Sequence, residues 1–511
     1  MGKLINRHCL SVLLAVVGLF AAVALVFWPV LPAGPDIYVH LLWTQQVTRC
    51  FSQGSLPLWL PDLNAGFGSP GIRLYSPAGP VLAGFLAWLL GDAGRGLRLA
   101  VLLLLAAFLW QAKKSFPQPL VLGLCVASPI IPFLLFYRAA FSEFYALPIA
   151  FWLLQASLQK PRSLPATALA WALLWLVHAP TFLMVSALAL AAAGLGSKPW
   201  EGLKKWASSW SLGFCLVAWH WLPLIQEQQW VAAKEGLTTG IFDFRRNFLG
   251  FAQAHDPQAV SALSLLALCW SVLLLFLRPS WDLRKSLTLL CLFLASPLAY
   301  PLWRVLPPLA WLQFPWRFLT PASLLLPGAL TPLSRRRELL SAALFLLPHL
   351  WMPAWPIASD PHLVSSDSWV SLGAKMHQAF SANPLIVDAP QNRPASFALL
   401  AQNLSTLGQR QFLCQGTCRL VSWQPLRRTL EVEGPEGWVH VRLLAYPLWA
   451  TALDGRPVAP SWQRGILAVW VPAGRHRLEV FWKGNPLTPW GWGLALLALA
   501  LVGLLHRRAK P

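Results

Sequence analysis

Apolar residues come in long uninterrupted runs along most of this chain, near 9–31, 97–111, 117–134, 144–158, 164–178, 180–196, 207–224, 258–277, 286–303, 317–333, 338–353 and 488–505. Runs of this kind predict membrane-spanning helices, about twelve in all. The stretch "GPVLAGFLAWLL", from Gly79 to Leu90, is too short for a span and reads as an interfacial or re-entrant helix. Pro32 to Gly96 then forms one long loop. From about Ala354 to Leu487 the runs stop, and from about 420 strict alternation takes over in "RTLEVEG", "GWVHVRLLA", "GILAVWVPAG" and "HRLEVFWKG". Alternation of that period predicts short strands with turns at Gly and Pro. The expected fold is a polytopic α-helical membrane domain over 1–353, a β-rich domain within 354–487, and a last span with a basic tail over 488–511.

Composition agrees with that class. The chain has 511 residues, 56% hydrophobic and only 12% charged, which is the balance of a membrane protein rather than of a soluble one. A net charge of +21 would suit nucleic acid if the basic residues formed a stripe on polar helices. Many of them punctuate the apolar runs instead, so the expected partner is the bilayer and not nucleic acid. With the N-terminus placed in the cytoplasm, the inner connections are those with Lys113 and Lys114, Lys160 and Arg162, Lys198, Lys204 and Lys205, Arg278, Arg284 and Lys285, Arg335 to Arg337, and Arg507, Arg508 and Lys510. Every inner connection is then basic. Both termini are expected in the cytoplasm, with the loop 32–96 and the β-rich domain outside. Arg138, Arg245, Arg246 and Arg317 stand out as external cations. The first run follows Lys3 and Arg7 and lacks a short Ala-x-Ala exit, so it reads as an uncleaved signal anchor. Six of the eight cysteines lie in or beside apolar segments, where thiols serve as small core fillers. Cys414 and Cys418, in "CQGTC", form either a small-loop disulfide or two free thiols.

Candidate chemistry gathers at span ends. Asp36 is the first ionisable residue after the first run, and a carboxylate at the water boundary can take a proton from a hydroxyl or hold a divalent cation. Its structural alternative is to cap a helix beginning in "DIYVHLLWTQQV". His40 lies one helical turn later, either an acid–base partner or a hydrogen-bonded interface residue. Arg317, flanked by Phe314, Trp316 and Phe318, suits a phosphate or serves as an interfacial anchor. Arg138 and Glu143 are five apart and read as an ion pair holding a turn, or as a phosphate contact with its orienting carboxylate. His178, before Pro180, reads as a group that satisfies freed backbone carbonyls or as a ligand contact.

Several patches in order carry a family resemblance: Asp36 with His40, "LPLW" (Leu56 to Trp59), "NAGFGSP" (Asn64 to Pro70), "YSP" (Tyr75 to Pro77), "RAAFSE" (Arg138 to Glu143), "HAPTFLM" (His178 to Met184), "LQFPWRF" (Leu312 to Phe318), "YPLWATALDGRPV" (Tyr446 to Val458) and "VPAGRHRLEV" (Val471 to Val480). With these the chain resembles the bacterial YfhO-type membrane proteins, also called 6-pyruvoyl-tetrahydropterin-synthase-related membrane proteins, which look like GT-C class polyprenyl-phosphate-dependent glycosyltransferases. The resemblance implies a multi-pass protein of the bacterial cytoplasmic membrane. It would transfer a sugar, with inversion, from a polyprenyl-phosphate-linked donor to an extracytoplasmic acceptor. Asp36 would be the base or a ligand of Mg or Mn, and Asp62 the poorly matched second acid of the loop. Arg317 and Arg138 would meet the donor phosphate, with Glu143 and His178 in support.

Two other classes compete with this reading: a transporter or flippase of lipid-linked material, and a non-catalytic scaffold. Ion-coupled transport usually places ionisable groups deep within spans, whereas these gather at span ends. A Gly-rich loop for a nucleotide phosphate is missing from the sequence, in keeping with a lipid-linked donor.

Overall fold

The computed structural model describes residues 36–330, with gaps at 117, 160–162, 232–237, 239–241, 251–256 and 278–279, together with 407 and 410–508 except 464. The first predicted span, the run 338–353 and the irregular stretch 359–405 lie outside the described residues.

Most of the described helices overlap the apolar runs, but Ile37–Ser52 and Ala78–Leu90 form helices within the expected loop 32–96. The longer ones are α1 (Ile37–Ser52), α2 (Ala78–Leu90), α3 (Ala93–Ser115), α4 (Phe141–Leu158), α5 (Leu164–Val177), α6 (Ala179–Leu195), α7 (Pro199–Leu216), α8 (Ala218–Glu227), α9 (Pro257–Val272), α10 (Leu283–Ala295), α11 (Leu319–Ala329) and α12 (Thr488–Arg508). Three helical stretches among the described residues are long and apolar enough to cross a membrane: Ala93–Ser115, Pro257–Phe276 and Thr488–Arg507. A fourth counts if Leu283–Ala295 and Pro297–Val305, bent by 82° at their break, form one span. The expected count of about twelve is therefore not confirmed among the described residues, which leave out the runs 9–31 and 338–353. Breaks at helix ends give the reason: α5 stops at Val177 and α6 begins at Ala179, leaving 14 and 17 residues, and at 1.5 Å per residue neither covers about 30 Å of hydrocarbon. The 79–90 stretch is indeed a short helix, and it packs between α1 and α3.

One large apolar cluster runs through α1 to α6, α9, α10 and α11 and is the core of the helical part. Close approach is built in where side chains are absent. At Gly96 of α3 a Cβ would come within 2.5 Å of the Ala87 backbone nitrogen in α2.

Among the described residues nine strands follow: β1 (Phe412–Leu413), β2 (Thr417–Gln424), β3 (Arg427–Gly434), β4 (Gly437–Leu444), β5 (Trp449–Leu453), β6 (Arg456–Val458), β7 (Ser461–Gln463), β8 (Ile466–Val471) and β9 (Gly474–Trp482). They form two antiparallel sheets, ordered β1-β4-β8-β7 and β2-β3-β9-β5-β6. Along "GWVHVRLL" of β4, buried and half-buried positions alternate as a one-sided strand demands. Leu430, Val432, Leu478 and Val480 of one sheet and Val439, Val441, Leu467 and Val469 of the other share a single core. Cys414 and Cys418 are disulfide-bonded.

That core does not close on itself. Trp59 and Phe67, from the segment between α1 and α2, and Trp230, just after α8, belong to the same cluster. The Trp59 ring packs on Tyr446, Trp449 and Trp482, and the Phe67 carbonyl accepts from the Leu444 amide at 2.9 Å. Gly68 (φ +82°) allows this, because a Cβ there would overlap the Trp59 indole nitrogen at 1.9 Å. The β-domain is thus docked on the loop 32–96.

At the junction the Glu227 carboxylate is fully enclosed. Arg73 grips it with both terminal nitrogens, Tyr446 donates its hydroxyl at 2.6 Å and Asn485 its amide at 2.7 Å. Four chain segments meet on one side chain, and none of the four residues drew notice in the sequence as a site.

Candidate functional site

Asp36 stands at the start of α1, where its carbonyl accepts from the His40 amide at 3.2 Å. Its carboxylate does not cap the helix. It turns instead to Arg138, whose Nη2 donates to Oδ2 at 2.9 Å, while the Asp36 amide donates to the Arg138 carbonyl at 3.1 Å. The capping role open in the sequence is thereby replaced by a long-range ion pair.

The backbone around Arg138 is shaped for that contact. Phe133–Tyr137 forms a π turn, and Ala139 has φ +52°, a left-handed conformation uncommon for a residue with a Cβ. Together they end one helical stretch and aim Arg138 at Asp36 before α4 begins at Phe141. A second such residue, Gln313 (φ +64°), directly precedes Phe314 and accepts from Arg317. Strain of this kind, of order 1–3 kcal/mol each, persists only where the surroundings fix it, and it clusters at functional sites.

The expected pairing of Arg138 with Glu143 is exchanged for two separate ion pairs. Glu143, in the first turn of α4 and 2% exposed, lies 3.4 Å from Arg317 Nε and accepts from the Thr320 hydroxyl at 2.8 Å. Arg317 in turn donates to the Leu312 carbonyl at 2.8 Å and to the Gln313 side chain at 3.1 Å. The two guanidinium groups share an aromatic wall: Arg138 and Arg317 lie 5.1 and 4.9 Å from the centre of the Phe314 ring, and Arg138 is also 5.1 Å from Trp316. "LQFPWRF" therefore supplies both a cation and the surface against which the other cation rests.

The remaining members close the site. His40 is buried, with its ring 5.5 Å from Phe141 and 6.0 Å from Trp43. Burial pulls its pKa down to about 4; Asp36 opposes that shift and Arg138 adds to it. A neutral imidazole at ordinary pH is the result. His178 caps α6 by accepting from the Thr181 amide at 3.3 Å, and its ring meets Tyr75 edge-on at 6.0 Å. Satisfying backbone is thus what this side chain does, on an amide rather than on a carbonyl. Tyr75 lies in the field of Asp36, Arg138, Glu143 and Arg317 together, and burial holds its phenol protonated well beyond the usual range.

Six of the seven expected site residues therefore meet in one place: Asp36, His40, Arg138, Glu143, His178 and Arg317. Asp62 does not join them. It pairs with Arg49 and accepts from Gln46 at 2.9 Å, near the other end of α1, about 15 Å away at the helical rise per residue. Tyr75, Gln313 and Thr320 were missed. The signal for Tyr75 was the "YSP" patch, whose aromatic carried no role; Gln313 and Thr320 offered no signal of their own, being ordinary polar residues beside an apolar run.

The arrangement can hold an anion and move a proton. Asp36 is 37% exposed and Arg138 13%, whereas Arg317 and Glu143 are 8% and 2% exposed. A mouth and a base follow from that gradient. As for Mg or Mn, no group of three or more His, Cys, Asp or Glu among the described residues could hold a metal ion. Glu143 is committed to Arg317 and Thr320 and Asp62 is remote, so among the described residues Asp36 has no second free carboxylate to help hold a divalent ion. Comparison with family models, with curated proteins and with solved structures returns no match to this chain.

Proposed function

We propose that the chain is a membrane-bound glycosyltransferase of GT-C-like kind, moving a sugar from a polyprenyl-phosphate-linked donor to an acceptor hydroxyl on the outer side of a bacterial cytoplasmic membrane. The observation that carries this reading is the meeting of Asp36, Arg138 and Arg317, residues far apart in sequence, in one partly open site beside the apolar helical core. Transfer from a lipid phosphate needs those parts. The acceptor oxygen must lose a proton as it forms a bond to the anomeric carbon, and Asp36 is the exposed carboxylate able to take it. The bond from that carbon to the phosphate oxygen breaks on the opposite face, which inverts the centre. The departing phosphate gathers negative charge, which Arg138 at the mouth and Arg317 behind it stabilise. His40, neutral and buried, orients this region and does not exchange protons near neutrality. The β-domain, docked on the loop through Trp59 and Glu227, would hold or cover the acceptor.

The decisive experiment compares wild-type and Asp36→Asn protein in transfer from a polyprenyl-phosphate-linked sugar, with mass spectrometry of envelope glycans and lipid-linked sugars in cells with and without each. Loss of transfer with an intact fold supports the reading. Normal transfer by Asp36→Asn removes the base, and an unchanged glycan profile with lipid-linked precursor redistributed across the bilayer favours a flippase.

A further inference from the structure

The two ion pairs of the site are chemically alike but differ in what could replace the carboxylate. Glu143 receives Thr320 as well as Arg317, and Arg317 is pinned by a backbone carbonyl and by Gln313. With both partners nearly enclosed, an incoming anion would have to leave Glu143 buried without a cation, which is strongly unfavourable. Asp36 is different. It is more than a third exposed, and among its described side-chain contacts it has a single guanidinium nitrogen, so on losing that contact it returns to water at small cost.

Arg138 is also built to stay in place when its partner leaves. Its carbonyl is tied to the Asp36 amide, its backbone is set by the π turn and the left-handed Ala139, and its guanidinium rests on Phe314 and Trp316. A planar guanidinium fixed in this way matches a phosphate, which offers two oxygens and more charge than a carboxylate.

We infer that Arg138 exchanges Asp36 for the phosphate of a polyprenyl phosphate or its sugar-linked form, and that this exchange uncovers the Asp36 carboxylate for the acceptor hydroxyl. The inference deepens the transferase reading and rests on it for the role of Asp36. No bond is made or broken in the exchange: one anion replaces another on one cation. Its consequence is an order of events, in which the base becomes available once the donor phosphate is seated. Before that, Asp36 is masked as the counterion of Arg138.

The test measures binding separately from transfer. Full-length protein in lipid nanodiscs is titrated with polyprenyl phosphate lacking a sugar, and in a second arm with inorganic phosphate. Because Asp36 competes with the ligand for Arg138, Asp36→Asn is expected to bind the lipid phosphate more tightly, by up to about fivefold, the reach of a half-exposed ion pair. Arg138→Gln is expected to bind it at least tenfold more weakly. Tightening seen with inorganic phosphate but not with the lipid would keep the exchange and assign it to a soluble phosphate. Asp36→Ser, with the unfolding midpoint of each variant, guards against a folding defect and is expected to tighten binding as well. Unchanged or weaker binding by both folded Asp36 variants overturns the exchange, even where transfer is abolished and the transferase reading stands. Tighter binding in a protein whose wild type transfers nothing leaves the exchange standing and removes the transferase.

Discussion

Of the Arg–carboxylate junctions among the described residues, those at Glu227 and Asp36 are built to opposite ends. At Glu227 every oxygen is engaged, by Arg73, Tyr446 and Asn485, and the carboxylate is sealed from solvent. At Asp36 a single guanidinium nitrogen meets a carboxylate that is more than a third exposed. The first arrangement holds the β-domain to the loop and to the end of α8. The second holds little and leaves chemistry open. What separates a lock from a site here is the number of donors and the access of water, since the residue types are the same.

The comparison can be broken from either side, and the largest effect is expected at the open junction. Asp36→Asn is expected to lower transfer by 10²-fold or more, the scale of a lost general base, while changing stability by less than about 1 kcal/mol; a transfer assay beside a thermal melt reads both. Glu227→Ala should do the reverse. Removing one member of a buried pair costs about 3–5 kcal/mol, and the β-domain should then become sensitive to limited proteolysis near its junctions with the loop 32–96 and with α12. An Asp36-like outcome at Glu227, with intact docking and lost transfer, would erase the distinction.

Within the site the same contrast recurs on a smaller scale. Arg317→Gln strands the enclosed Glu143 and is expected to lower the unfolding midpoint clearly, by a free energy of about 3 kcal/mol or more. Arg138→Gln, whose partner can turn to water, should cost less than about 1 kcal/mol. Equal losses in the two melts would mean that mouth and base are one unit.

A further effect is expected from pH at His40. Burial lowers its pKa in the folded chain to about 4, below the unfolded value of about 6.5, so between those values the unfolded chain binds more protons. Stability contributed by the neutral imidazole is therefore complete above about pH 6.5 and is lost as pH falls toward 4. His40→Gln is expected to flatten that part of the stability profile relative to wild type and to leave the transfer profile near neutrality without an added inflection.

Much of this could be read along the chain. Alternation in "GWVHVRLLA" and "HRLEVFWKG" placed strands that the sheets contain, and the short run 79–90 is a short helix. Six site residues were legible because charge is conspicuous in a chain that is 12% charged. Their partners were not. Arg138 and Glu143, close in sequence and plausible as a pair, each bind a residue more than a hundred positions away or nearly two hundred, because the π turn and Ala139 turn them to different sides. Breaks such as the one at His178 were hidden for a related reason: local hydropathy stays high across a turn in the backbone, so the helices came out shorter and fewer of them long enough to span.

By itself the sequence determined where water is excluded and where it is not, since hydrophobic periodicity is a local property summed over neighbouring residues. It therefore settled the helical class, the strands of the β-domain and the list of charged residues that had to be accounted for. Only the tertiary structure decided which charge meets which, how many donors each carboxylate receives and how much water reaches it. Those quantities depend on close approach between segments far apart in the chain, and it is they that make Glu227 a fastening and Asp36 an exposed, exchangeable acid.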